Sequence, residues 1–289
     1  MGGSTEGGAD GNINVMEKKV VKIDIDLRPA GTACDLLAAK SGLPKGRIKD
    51  AMNKGAVWLK SKRGGLRRLR RATAALRPGD HIELYYDGEI LSAKPPQAKC
   101  LADRVSYSVW HKPAGLLSQG TKYGDHCSLL RQAELFFTPP REAFLVHRLD
   151  REVEGVMLVA HGSKSAAGLS ALFEKKVIVK RYRAEVLGLA GEAGSEGRID
   201  LPLDGKPAIT EYRVASCDPE NNSTRVEIVI QTGRLHQIRR HFEMIGHPVM
   251  GDPRYGKGNK NREGIRLAAV SLQFVSPDTG EKVYFSLPD

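Results

Sequence analysis

The sequence is poor in the features that mark metalloproteins, nucleotide-cofactor enzymes and membrane proteins. Its only cysteines, Cys34, Cys100, Cys127 and Cys217, form no Cys-x-x-Cys pair and have no histidine at metal-ligand spacing, which argues against a zinc centre or a disulfide scaffold. Reduced thiols and a cytoplasmic setting are the expectation. No run of about 18 apolar residues occurs, so no membrane-spanning helix is predicted. The opening MGGSTEGGADGNINVMEKK lacks the apolar stretch of a signal peptide, and Glu6 stands where N-myristoylation needs Ser or Thr. Residues 1–19 are expected to be a flexible tail. Neither a Gly-x-Gly-x-x-Gly fingerprint nor a Walker A segment is present, since GLLSQG (115–120) fits neither. No cofactor and no metal are therefore predicted, and no internal repeat is found.

Acidic residues are the scarcer charge, 34 against 45 Lys and Arg, for a net charge of +11 and a pI near 9.5. A polyanionic partner fits, because phosphate contacts release counterions. Apolar residues make up 40% of the 289, enough for one large domain with a real core and a small one beside it.

After the tail, VVKIDIDL (20–27) alternates as a strand does. TACDLLAAKSG (32–42) has a Thr cap, an apolar stripe and a closing glycine, which predicts a helix. A second short helix ends at Gly55, a strand follows, and Pro78-Gly79-Asp80 turns into the strand HIELYY. The small domain is placed at 20–88, with a linker over 89–104 where periodicity fails around Pro95-Pro96. Residues 105–289 alternate strands with few helices, as a mixed, largely antiparallel sheet would. Helices are predicted over 163–176, capped by Ser163, and over 233–246, where Leu235, Ile238, Phe242 and Ile245 recur at helical spacing.

Two charged stretches invite a functional reading. In LKSKRGGLRRLRR (59–71), Lys62, Arg63, Arg67, Arg68, Arg70 and Arg71 crowd two turn glycines with few acids between them. That is either a solvated loop or a polyanion contact. In FLVHRLDREVEGVMLVA (144–160), two apolar runs enclose Arg148, Asp150, Arg151, Glu152 and Glu154.

The second stretch resembles the catalytic motif of the RluA family of RNA pseudouridine synthases. Further blocks follow in family order: KRYRAEVLG (180–188), KPAITEYRV (206–214) and EIVIQTGRLHQIRRHFEMIGHPVMGDPRYG (227–256), with WHKPAGLLSQG (110–120) upstream. Residues 30–86 resemble an S4 RNA-binding domain. The resemblance implies an α+β pseudouridine synthase fold preceded by a small S4-like domain, acting on structured RNA; a monomer is expected. Large-subunit ribosomal RNA is the favoured substrate and transfer RNA the alternative.

By the same resemblance Asp150 is the reacting carboxylate, either a nucleophile on the sugar or a base at C2′. Arg234 is its ion-pair partner, with Arg239 as the other candidate and otherwise an RNA contact. Tyr182 stacks on uracil and assists at C5, Arg148 fills the space of a flipped base, and Leu267 packs under it. His147 and Lys112 are placed with the RNA contacts, although His147 and His236 suit structural hydrogen bonding and Lys112 suits positioning backbone as well as phosphate. Three positions depart from the family pattern: Val153-Glu154 replaces Thr-Ser, Leu235 replaces Thr or Ser, and Ala268 replaces His. A non-catalytic RNA-binding protein and a hydrolase using Asp150 with Glu152 or Glu154 are the competing readings.

Overall fold

The computed structural model describes residues 17–27, 31–62 and 64–288. Most of the predicted tail, and Arg63, lie outside the described residues. The chain divides into two compact units, Met1–Lys94 with Gly120–His126, and Pro95–Gln119 with Cys127–Asp289.

The first unit contains β1 (Lys18–Asp24), α1 (Ala33–Ser41), α2 (Lys45–Asn53), β2 (Val57–Lys60), β3 (Leu66–Arg68), β4 (His81–Asp87) and α3 (Gly88–Ser92). Its antiparallel sheet runs β1-β4-β2-β3. Local chemistry sets the ends of α1. Thr32 and Asp35 form a reciprocal capping box, and Gly42 closes the helix in the left-handed region at φ 71°. Leu37, Ile48, Met52, Ile82 and Leu84 are completely buried between the helices and the sheet.

The basic stretch of this unit divides in two. Lys62, Arg67 and Arg71 are exposed. Arg68 instead stacks on Trp58 at 4.2 Å, donates to the carbonyls of Gly55 and Thr121, and lies 3.1 Å from Asp125. Arg70 donates to the Asn53 carbonyl and pairs with the same carboxylate. Assigning Arg68 and Arg70 to RNA binding is therefore corrected. The carbonyls closing α2 and the half-buried Asp125 need donors, and these two arginines supply them.

The second unit contains β5 (Lys99–Asp103), β6 (Tyr107–Lys112), α4 (Leu129–Phe136), β7 (Phe144–Leu145), β8 (Glu154–Ala160), α5 (Ser163–Glu174), β9 (Val179–Leu187), β10 (Glu196–Asp200), β11 (Ile209–Asp218), β12 (Ser223–Ile230), α6 (Gln237–Met244), β13 (Leu267–Val275) and β14 (Lys282–Ser286). The sheet runs β10-β11-β12-β9-β13-β8-β6-β5, with β14 on β13 and β7 on β8. Only β8 and β13 pair in parallel among the described strands, so the sheet is mixed and largely antiparallel, as the sequence pattern predicts.

That parallel pair is tight. Ala269 of β13 lies opposite Gly155 of β8 on one side and Tyr182 of β9 on the other. A Cβ on Gly155, whose φ is 146°, would come within 2.5 Å of the Ala269 carbonyl oxygen, so only glycine fits.

The stretch read as a linker contains most of α3 and all of β5, which pairs with β6. The helix predicted from residue 233 begins at Gln237, and α5 is capped by Gly162 without a side-chain hydrogen bond. Helix α4, whose Ser128 cap accepts from the Arg131 amide, was not anticipated.

Candidate active site

The loop between β7 and β8 is held at alternate residues. His147 Nε2 accepts the Leu158 amide at 2.9 Å, and its ring stacks on Phe173 with centroids 4.5 Å apart. Burial, reinforced by Lys180, pushes its pKa down to about 3. Leu149 is gripped at both ends of its peptide unit: its amide donates to Ser118 Oγ at 3.0 Å, and its carbonyl accepts from that hydroxyl at 2.6 Å. With residues 147 and 149 fixed, Arg148 extends outward, exposed and without an ion pair among the described residues. Asp150 follows with its side chain 17% exposed.

Lys112, fully buried, donates to the carbonyls of Pro113, Leu116 and Arg151. Burial pushes its pKa down to about 8 against the pull of Asp150, Glu152 and Glu154. Both Lys112 and His147 are thus corrected from RNA contacts to structural residues. Each is consumed by backbone groups that shape the loop carrying Asp150.

Arg239 of α6 is the ion-pair partner of Asp150. Its Nη1 donates to Asp150 Oδ2 at 3.0 Å, while Nε and Nη2 grip both oxygens of Asp252 at 2.7 and 2.8 Å. Asp252 also accepts the amides of Arg254 and Tyr255. Burial opposes charge on Asp252, but Arg239 and these amides outweigh it and hold its pKa below the usual carboxylate value. Burial likewise works against the charge on Arg239, and the two carboxylates overcome it. The guanidinium is only 2% exposed, so its assignment as an alternative RNA contact is also corrected.

Arg234 does not reach Asp150 in this structure, contrary to the expected pairing. Its Nε donates to the Pro207 carbonyl at 3.1 Å. The helix starts four residues later than the sequence spacing suggests, at Gln237 rather than Gly233, because Gln237 builds a turn there. Gln237 Oε1 accepts from the Arg234 amide and the Thr232 hydroxyl, and its Nε2 donates to the Ile209 carbonyl and Thr210. His236 leaves that turn with left-handed backbone angles, φ 53° and ψ 32°.

These groups surround a cleft of about 260 Å³ lined by Arg148, Asp150, Tyr182, Arg234, His236, Arg239 and Leu267, among others. Burial and the Asp150 carboxylate hold the Tyr182 phenol well above its ordinary pKa, so it stays protonated. Leu267, 6% exposed, packs with Val153 and Ile238 to form an apolar wall. The cleft lies just below the roughly 300–1,000 Å³ usual for drug-sized ligands, a scale suited to one flat base. Three larger hollows, of about 700, 810 and 450 Å³, lie elsewhere on the second unit, and none includes Asp150.

Of the departures from the family pattern, Val153 is buried in the core, Glu154 lies 3.5 Å from His111 and beside Ala268 across the parallel pair, and Leu235 is exposed. Sequence reasoning gave no role to Asp252 or Tyr255, although both lie in the block 227–256. Nothing in a single sequence distinguishes a buried acid clamped on an arginine from a surface one.

A family model described as RNA pseudouridylate synthase matches residues 106–244. The chain is 34% identical over 224 residues to the "Dual-specificity RNA pseudouridine synthase RluA" of Pasteurella multocida, covering 69% of this chain and 98% of that one. It is also 34% identical over 166 residues to a "Ribosomal large subunit pseudouridine synthase D" of Zymomonas mobilis, a match spanning about half of each chain, 49% and 51%. Among solved structures, "Human RNA Pseudouridylate Synthase Domain Containing 1" superposes with a TM-score of 0.55 at 21% identity, over 68% of this chain and 86% of that one. That likeness is one of fold.

Proposed function

Because this chain belongs to the RluA family of RNA pseudouridine synthases, we propose that it isomerises uridine within large-subunit ribosomal RNA, with Asp150 as the reacting carboxylate. The observation that carries the site assignment is Asp150 at a base-sized cleft, clamped by the buried Arg239–Asp252 pair and faced by Tyr182 and Leu267. The reaction breaks N1–C1′, turns the uracil and forms C5–C1′; the C5 proton leaves to solvent and N1 takes up a proton, so product and substrate are isomers. It is redox-neutral, and the residues present can carry it.

Asp150 acts on the sugar, as a nucleophile at C1′ or as a base at C2′. Arg239 donates a charge-assisted hydrogen bond to its Oδ2 and so fixes the carboxylate's orientation at the cleft. Tyr182 offers a flat apolar face and a retained phenolic proton. Exposed Arg148 is free to enter the stack that a flipped uridine leaves. Ribosomal substrate choice is supported by the net charge of +11 and by similarity to the ribosomal large subunit synthase of Zymomonas mobilis. The first unit, with its exposed Lys62, Arg67 and Arg71, is the S4-like RNA-holding part of this reading.

The test is tritium release from [5-³H]uridine-labelled ribosomal and transfer RNA. Wild type should release tritium from ribosomal RNA, and Asp150→Asn should lose at least about 1,000-fold while binding RNA nearly as well. Release from transfer RNA alone would overturn the substrate choice. Release surviving in Asp150→Asn would overturn the role, and tight binding with no release by wild type would point to a non-catalytic RNA-binding protein.

A further inference from the structure

His236 is held in an unusual place without a helix-capping reward. It is a non-glycine residue in left-handed geometry at the N-cap of α6, yet its side chain makes no capping hydrogen bond. Such a conformation is unfavourable for a side chain with a Cβ and persists where the surroundings enforce it. Here the surroundings are Tyr255 and Asp150. His236 Nδ1 lies 2.9 Å from the Tyr255 hydroxyl with the rings edge to face. Its Nε2 lies 3.7 Å from Asp150 Oδ1, whereas Arg239 covers Oδ2.

We propose that His236 is a positioning residue for Asp150, locked by Tyr255 in the tautomer that presents Nε2–H to the carboxylate oxygen Arg239 leaves uncovered. This rests on the reading of Asp150 as the reacting group. The tautomer follows from electrostatics. If Nδ1 carried the proton, a bare Nε2 lone pair would face a carboxylate, so the favourable arrangement has Tyr255 O–H donating to Nδ1 and Nε2–H facing Oδ1. The gap of 3.7 Å exceeds a hydrogen bond, and such contacts tighten when substrate closes the site.

A neutral N–H orients the carboxylate and leaves its charge available for the sugar. An imidazolium would form a full ion pair with it and withdraw that charge. The charged and titratable neighbours are Asp150 and Glu152 from the loop before β8, Arg239 on α6, and Arg254 and Tyr255 from the loop after α6. Burial has the largest effect, with Arg239 and Arg254 acting in the same direction. Together they outweigh the two acids and keep the ring's pKa below its ordinary value.

The experiment combines single-turnover tritium release from the same labelled RNAs, between about pH 5 and pH 8.5 around the histidine range, with ¹⁵N spectra of the imidazole in the full chain. His236→Ala should lower the rate about 10- to 100-fold, the contribution of one hydrogen bond to a charged group, with RNA affinity little changed. His236→Gln, whose amide N–H reaches the same oxygen without titrating, should recover most of that loss and move the acid limb of the profile to lower pH. Tyr255→Phe should lower the rate several-fold and mix the two tautomers in the spectrum. The proposal fails if wild type is active but the Ala and Phe variants stay within twofold at every pH, or if Gln is no better than Ala. Inactive wild type would instead fail the functional reading, and the spectrum would still decide this inference. An Nε2–H resonance that shifts in Asp150→Asn supports it, and an Nδ1-protonated ring overturns it.

Discussion

Arg239 makes three charge-assisted hydrogen bonds, through Nε and Nη2 to Asp252 and through Nη1 to Asp150, and a lysine has neither the fork nor the reach to replace them. Arg239→Lys should therefore leave a buried carboxylate without its partner, lowering unfolding free energy by about 3–5 kcal/mol and rate together, as urea denaturation and tritium release would show. His147 gives a pH prediction. Its folded pKa of about 3 lies below the unfolded value near 6.5, so the unfolded chain binds the extra proton between those values. The associated stability is complete above about pH 6.5 and is lost as pH falls through that window, up to about 2 kcal/mol by pH 5 at about 1.4 per unit. Urea midpoints should fall less steeply with acid in His147→Gln, which keeps an acceptor for the Leu158 amide; equal slopes would refute the assignment. At this scale the His-Arg-Leu-Asp signal is legible in the sequence because it is contiguous. Residue spacing favours Arg234 over Arg239 because it does not reveal that Gln237 and left-handed His236 delay the helix and swing Arg234 to Pro207.

Elements with strong local chemistry are legible in the sequence itself. Helix α1 carries its own cap at Thr32 and its own stop at Gly42, and β4 follows the Pro78-Gly79-Asp80 turn. Helix α4 escapes notice because its eight residues are too short for periodicity to stand out. Strand β5 is hidden by the prolines before it, its own pattern too weak to mark a strand. What no local signal conveys is pairing. The site depends on β8 and β13 running parallel with Gly155 pressed against Ala269, a contact between residues more than a hundred positions apart. Gly155→Ala should force these strands apart, because its Cβ would meet backbone rather than a flexible side chain. The expected cost is about 2 kcal/mol or more, from steric strain and an unfavourable positive φ. Since Asp150 lies just before β8 and Tyr182 is opposite Ala269, the rate should fall further than stability alone explains. Tritium release at a temperature where the variant is fully folded by circular dichroism would separate the two.

Charge acts on the whole molecule, but the net value of +11 does not say which cations are available to RNA. In the first unit the sequence shows an unbroken basic run, whereas the structure engages Arg68 and Arg70 with Asp125 and the end of α2. Lys62, Arg67 and Arg71 are left exposed. The two subsets should therefore fail differently. Replacing the exposed three with glutamine should weaken RNA binding and reduce the slope of log K against log salt by about 2–3, roughly one unit per lost phosphate contact. The folded state and the rate at saturating RNA should be nearly unchanged. Replacing Arg68 and Arg70 should instead lower the unfolding midpoint, because a half-buried carboxylate and the last carbonyls of α2 lose their donors. Filter binding across a salt series, alongside urea unfolding, distinguishes them. If the exposed trio left the salt slope unchanged, the electrostatic hold on RNA would have to come from other exposed cations, among them Lys45, Lys49 and Lys60 in the first unit and Arg148 at the cleft in the second.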